Sequence, residues 1–555
     1  MDAAQAARGY GAGMTSDESG PALSGPTALD AQIPTDAAPD APHPVLTATP
    51  LLLALGLGTA AHLLAHGTPG LGLNLGVWLV LLIGAVLWAL NRRGERPDRA
   101  ALTLLLTAVA FGLSFTLRAP TPQLGVLNAL ALLTSLTLGL SFLRPAGSGF
   151  AGLRRAAPAH LLGALLSAGL RLAYGPLTLL ARFPWERLRP PARQGPPGRA
   201  GRIALGLLLT APVVLVFGAL LAGADARFAQ LGSAPLRWNL NLDGAFSWTV
   251  TLLVWCALAG GLLYPALLAA RPTVLRVPPP AARLGLTETG LPLTALAALF
   301  VTFAALQLPA LLGGTLPDGE TYASFIRRGF TELMTVAFLT AGVLLGAHGL
   351  SAPHTRTSAG FRTLTGAVLL PLAVILASAA QRWTLYTQAY GLSETRVLGA
   401  AFLTWITLTL AWLAWRLWRG DTDRFAFPAL LGGLLTLLTL TALNPAALIA
   451  RVNIHRHLSG VTNDLRLTPQ RVGAAELAQL GAGAVPELVR HLDALTVPAC
   501  GPGTAPGCTQ RQDLINLLRD VYGRAPDWRS WNLAYARAFA AVQTLPPATP
   551  DSSSR

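Results

Sequence analysis

Eleven apolar runs, each near the length of a membrane-crossing helix, decide what this chain can fold into. They lie at about 45–66, 71–90, 100–117, 124–143, 202–224, 246–270, 289–313, 329–350, 363–383, 397–418 and 426–443. Crossing roughly 30 Å of hydrocarbon takes about 20 helical residues, and lipid satisfies no exposed backbone group. A helical bundle is the architecture such runs permit. Composition agrees: 52% of the residues are hydrophobic and 12% charged, about half the charge of an average soluble domain. The reading is an all-α fold, a polytopic helical membrane bundle of about 11 transmembrane helices over 45–443. A small helical C-terminal extramembrane domain follows at 444–555. Prolines inside the runs, such as Pro50, Pro265 and Pro371, predict kinks that membrane helices tolerate.

All 41 basic side chains are arginine and the formal charge is +15. Their placement argues against nucleic acid as the partner, because most sit in short loops between apolar runs, where topology is written. With the N-terminus inside, the loops on the cytoplasmic side, the long 144–201 loop included, hold 21 arginines and the opposite loops seven. That bias predicts a bacterial cell-membrane protein with a cytoplasmic N-terminus and an extracytoplasmic C-terminal domain. Residues 1–44, rich in Ala, Pro, Gly and Asp with Arg8 as the only base, predict a disordered acidic tail and not a cleaved signal peptide.

The segment 159–183 qualifies the scheme. It is long enough to cross, but Arg171 stands at its centre and Gly175-Pro176 interrupts it. A mid-bilayer arginine costs roughly 2.5–3.5 kcal/mol on insertion scales, so the favoured reading is an interfacial or re-entrant cytoplasmic helix. Beyond 444, helical spacing recurs in Val472, Leu477, Leu480, Val485, Leu488 and Leu492, and again on both sides of a Gly-Arg-Ala-Pro turn near 523–526. Cys500 and Cys508 flank "GPGTAPG". In an oxidising compartment they are a disulfide candidate.

Chemistry-bearing residues gather near the outer ends of the runs. "TYASFIRRGFTELM" supplies Tyr322, Arg327, Arg328 and Glu332, with Arg328 and Glu332 one helical turn apart. "QRWTLYTQAYGLSETRV" supplies Gln381, Arg382, Tyr386, Tyr390, Glu394 and Arg396. The plain account is an interfacial ion pair and an aromatic belt. The functional account is one outward polar cluster that binds a ligand or a partner. Asn128, Gln307 and Pro309 are the few interruptions deeper in the runs. His62 and His66 stand four apart, a metal-compatible spacing, while His455 and His457 stand two apart with no nearby carboxylate. No phosphate-cradling loop, nucleophile elbow or metalloprotease helix is present in the sequence, so neither a catalytic residue nor a cofactor or metal is predicted.

"YASFIRRGFTELM", "QRWTLYTQAYGLSETRV", "NPAALIARVNIHR" and "DWRSWNLAYARAFAA" resemble, in that order, blocks of an uncharacterised bacterial multi-pass membrane family, domain of unknown function 4173, related to the 4153 type. The resemblance covers roughly 290–545. It implies an integral membrane protein with a helical tail and carries over no activity and no site residue. The family's Tyr-Ala-Arg-x-Gly-Phe pattern is interrupted here, with Tyr322-Ala323 separated from Arg328-Gly329-Phe330. The functional expectation is a non-enzymatic envelope binding, sensing or scaffold protein in the lipid bilayer, whose partner is an envelope protein or a small-molecule ligand. The alternatives are a transporter of a small or lipidic substrate and a membrane-embedded enzyme.

Overall fold

Helix boundaries follow from local capping chemistry. In a computed structural model, which describes residues 49–68, 70–144, 153–183, 242–268, 283–311, 330–459, 477–495 and 506–547, the Asp98 carboxylate accepts from the backbone N–H groups of Ala100 (2.8 Å) and Ala101 (3.0 Å). It thereby satisfies the first turn of a helix. Ser358 and Ser393 do the same for two later helices. The expected tail at 1–44 and the run at 202–224 lie outside the described residues.

The helices are α1 (Thr49–Ala65), α2 (Leu73–Arg92), α3 (Arg99–Leu117), α4 (Pro122–Ser141), α5 (Pro158–Ala181), α6 (Leu242–Leu267), α7 (Leu286–Leu311) and α8 (Phe330–Leu350). They continue with α9 (Ala359–Tyr390), α10 (Glu394–Trp418), α11 (Ala426–Ala442), α12 (Pro445–Leu458), α13 (Val485–Arg490), α14 (Pro506–Tyr522) and α15 (Leu533–Gln543). Among the described residues there is no strand, only an isolated bridge between Leu284 and Ser351. The fold is all-helical. Nine of these helices are long and apolar enough to cross a membrane.

The nine are counted without the run at 202–224, which is not among the described residues, and the rest of the difference from eleven has particular causes. The first run forms a helix of 17 residues, shorter than the nine. The last run is also 17 residues and continues, after a 54° bend, into α12. Asn444 makes the elbow with a left-handed backbone, φ 54°. Asparagine tolerates that conformation far better than branched residues.

The segment expected at the interface forms α5, 24 residues long, and so adds a ninth candidate. Its packing register is unusual. A Cβ on Gly261 would lie 2.4 Å from the Leu172 carbonyl, and one on Gly175 would touch Gly261 and Tyr264. Leu179 reaches Gly260, which in turn faces Ala54. These pairings run antiparallel, so α5 ends, at Ala181, beside the middle of α6. With 1.5 Å of rise per residue, α6 continues about 20 Å past Gly260 to Ser247. Leu162, Leu166, Leu170 and Leu177 stay exposed along one side of α5, a face suited to lipid. It is an apolar helix that stops halfway up its neighbour.

Small residues set the closest approaches elsewhere too, as membrane packing favours. Gly58 of α1 leaves no room for a Cβ against the Cys256 backbone of α6. Two apolar cores result. One joins α1–α6 with α11, through residues such as Leu82, Phe111 and Leu263. The other joins α7–α10, through residues such as Phe300, Leu344 and Leu372. A small seam of Leu124, Val397, Leu440 and Ile449 connects them. Asn128 and Thr441, both buried, hydrogen-bond side chain to side chain at 2.9 Å within the first core, between α4 and α11.

The loops sort to two ends. At one, Arg93 donates to the Leu267 carbonyl (2.7 Å), Arg144 pairs with Glu95 (2.9 Å), and Leu284 pairs with the backbone beside Ser351. At the other, α13–α15 and α12 share a third core that includes Ile454, Leu488, Ile515 and Ala538. This second end is called distal below.

The docking of the C-terminal helices is made by "DWRSWN". The Arg529 side chain, held by Asp527 at 2.9 Å, donates to the carbonyls of Leu63 (3.1 Å) and His66 (2.9 Å) at the end of α1. The carbonyls of Arg529 and Trp531 accept from Asn74 (2.7 Å) and Leu73 (3.1 Å) at the start of α2. Asn532 donates to Phe115 and Arg118 at the end of α3. One short loop thus meets backbone groups that the ends of three helices leave unpaired.

Candidate functional site

The polar residues singled out in the sequence divide by what they touch. Glu394 Oε1 accepts from the backbone N–H of Leu124 at 2.9 Å, in the first turn of α4. Arg396 Nη1 donates to the carbonyls of Tyr390 (2.9 Å) and Gly391 (2.8 Å), where α9 ends. A carboxylate at a helix start and a guanidinium at a helix end both oppose the local dipole charge. These two side chains therefore bind helix termini across the distal end. The Arg396 guanidinium also stacks over Tyr386, 4.2 Å from the ring centre, with Tyr390 at 5.6 Å. The two tyrosine rings meet edge to face at 5.2 Å. That stack is a cation–π shelf.

Arg382 behaves differently. Its side chain leaves the surface and is only 7% exposed. Nη2 donates to Gln307 Oε1 at 2.7 Å, and Ser378 Oγ donates to the same oxygen at 3.2 Å. Ser378, Arg382, Tyr386 and Tyr390 are four apart along α9 and share one helix face. They form a polar stripe that descends from the Arg396 shelf into the second core. Glu332 stands exposed in the first turn of α8. An arginine inside an apolar bundle is costly and marks a functional site by default.

Tyr322, Arg327, Arg328 and Cys500 lie outside the described residues, as does the side chain of Cys508, so the Arg328–Glu332 pair and the Cys500–Cys508 bridge do too. Among the described residues no three His, Cys, Asp or Glu side chains converge on a metal position. His62 packs against His66 (4.8 Å) and edge-on to Trp248 (4.7 Å).

A second polar group at the distal end is only partly legible from local spacing. Glu487 of α13 accepts from Arg451 of α12 at 2.9 Å and from Arg490 at 2.6 Å. Burial alone raises the Glu487 carboxyl pKa. The hydrogen bond from Arg451 and the charges of Arg490 and Arg451 outweigh it, leaving the group below the ordinary glutamate value. Asn453 accepts from the Leu392 N–H (2.9 Å) and donates to the Leu392 carbonyl (2.8 Å), fastening α12 to the α9–α10 turn. Gly391 there has φ +73° and leaves the space that Asn453 fills. Arg451 lies 36 residues from Glu487 and Asn453 61 residues from Leu392, so spacing shows only the Glu487–Arg490 pair within α13.

A family model described as "Domain of unknown function (DUF4153)" matches residues 100–491. The match is to the 4153 type and takes in α3 and α4, earlier than the quoted blocks begin, and it stops before "DWRSWN". The relation to the 4173 type rests on the quoted blocks alone. No curated protein and no solved structure matches the chain.

Proposed function

From the premise that this chain belongs to the DUF4153 family of domains of unknown function, we propose that it is a non-enzymatic binding or sensing protein of the bacterial cell membrane. Its distal end takes an envelope partner or a small-molecule ligand. The observation that carries this reading is the buried Arg382, bonded to Gln307 beneath the tyrosine and arginine shelf. The site presents guanidinium donors above a polar floor, which suits a ligand rich in acceptor oxygens. The arginine bias of the loops supports an extracytoplasmic distal end, with the N-terminus in the cytoplasm. Cells carrying Arg382→Ala or Tyr386→Ala are expected to reproduce the phenotype of a full deletion while the protein accumulates normally. A wild-type phenotype from both variants, alone and together with Arg328→Ala and Glu332→Ala, overturns it.

A second reading, a transporter of a small or lipidic substrate, is favoured by two features. Helix α5 ends beside the middle of α6, and α11 breaks by 54° before α12. Interrupted helices near polar groups are how many carriers build their sites. Solute uptake by reconstituted vesicles separates this reading from the first.

A further inference from the structure

The C-terminal helices are tied to both membrane cores. At one end "DWRSWN" bonds the first core: Arg529 donates to the carbonyls of Leu63 and His66, and Asn532 to those of Phe115 and Arg118. At the other end the buried Asn453 of α12 brackets Leu392, accepting from its N–H at 2.9 Å and donating to its carbonyl at 2.8 Å. Leu392 lies in the turn between α9 and α10, helices of the second core. The third core, through Ala450 and Ile454 of α12 and Ala534 and Ala538 of α15, makes the two ends one body. The grip on the turn is shaped from both sides. Gly391 has φ +73°, a conformation that favours glycine, and a Cβ there would lie 2.5 Å from Asn453 Oδ1. Arg396 holds the carbonyls of Tyr390 and Gly391 from within the second group of helices, so the turn meets Asn453 already formed.

We propose that the C-terminal helices are a strap across the distal end, latched where Asn453 grips Leu392, and that release of the latch lets the second core swing from the first. The direct seam beside the latch is small: Leu124, Val397, Leu440 and Ile449, with Leu392 packed against it. A large apolar core holds together as a unit, whereas a small seam and a few hydrogen bonds are where two such units part. Two net hydrogen bonds shift a two-state equilibrium by about ten- to a hundredfold. That is enough to decide which state is populated and little enough to be reversed. The device stands whether the distal end takes a ligand or the chain is a carrier.

The test uses the full chain in lipid nanodiscs, with Cys256, Cys500 and Cys508 changed to serine and spin labels on introduced cysteines. Leu71→Cys and Thr384→Cys, both exposed positions, report the distance between the two cores at the distal end. Leu71→Cys and Val126→Cys, also exposed, report a distance within the first group of helices. Double electron–electron resonance is expected to give one dominant cross-core distance in the parent. Asn453→Ala is expected to raise a longer component about tenfold relative to it, with the within-group distance unchanged. Gly391→Ala breaks the same contact from the other side and is expected to raise the same component. Combining the two should add less than the sum of their separate effects. Arg529→Gln frees the other end of the strap and is expected to raise that component too, which decides the matter if Asn453→Ala fails to fold. An unchanged cross-core distribution in the folded variants, equal broadening within the first group, or full additivity of Asn453→Ala and Gly391→Ala overturns the proposal.

Discussion

Asn532 has two tasks at once. Its amide nitrogen donates to Phe115 and Arg118, and its oxygen caps α15 by accepting from Ala534 (2.8 Å) and Tyr535 (3.1 Å). Asn532→Ala removes both, and is expected to lower stability by about 2 kcal/mol, combining a lost cap with carbonyls left unmatched. The thermal midpoint of the purified protein in detergent checks this. Glu487 sets a pH dependence of known sign. Its native pKa is held below the ordinary value of 4.5, so its contribution is complete above that value and is lost as the pH falls through the native one. Hydrogen-exchange protection in α13 and α12, corrected for the intrinsic slowing of exchange in acid, is expected to fall on such acidification, and to lose that dependence in Glu487→Gln. At this scale the sequence showed which residue types stood near water but not their partners. Glu394 and Arg396 belong to the outward polar cluster expected from the sequence, and both also bond the ends of other helices, α4 and α9. Nothing local distinguishes a ligand-facing charge from one facing a distant helix terminus.

Among elements, α5 and α6 best separate what periodicity tells from what it hides. The apolar runs located most of the described long helices, because about 20 consecutive apolar residues leave few alternatives. Register was hidden, because it is set by where glycines let backbones meet. Gly261→Val places side-chain atoms where the Leu172 carbonyl lies, and is expected to cost about 1–3 kcal/mol through overpacking. Gly84→Ala, a position with nothing within 4 Å, is expected to be neutral or slightly stabilising. Thermal denaturation of the two variants side by side decides. If Gly261→Val is as stable as the parent, the antiparallel seam is misplaced.

For the whole molecule, the α1–α2 and α3–α4 loops share an end with the C-terminal helices, while the α2–α3 turn faces the other way. In a background with Cys256, Cys500 and Cys508 changed to serine, Gly70→Cys and Trp528→Cys are expected to react with a membrane-impermeant thiol reagent from the same side. Gly94→Cys should react only from the opposite side. Labelling of Gly70 and Trp528 from different sides removes the basis for the distal end. Arginine placement predicts two sets of loops, since each loop carries its own charge. The joining of those sets by "DWRSWN" was unreadable, because its contacts span more than 400 residues of chain. That span bears on biogenesis. The helices around residues 63–118 leave the ribosome long before Asn532 exists, so their ends wait more than 400 residues for their partners. A prematurely terminated product would keep them unsealed, and quality-control proteases could tell it from a finished molecule by those ends alone.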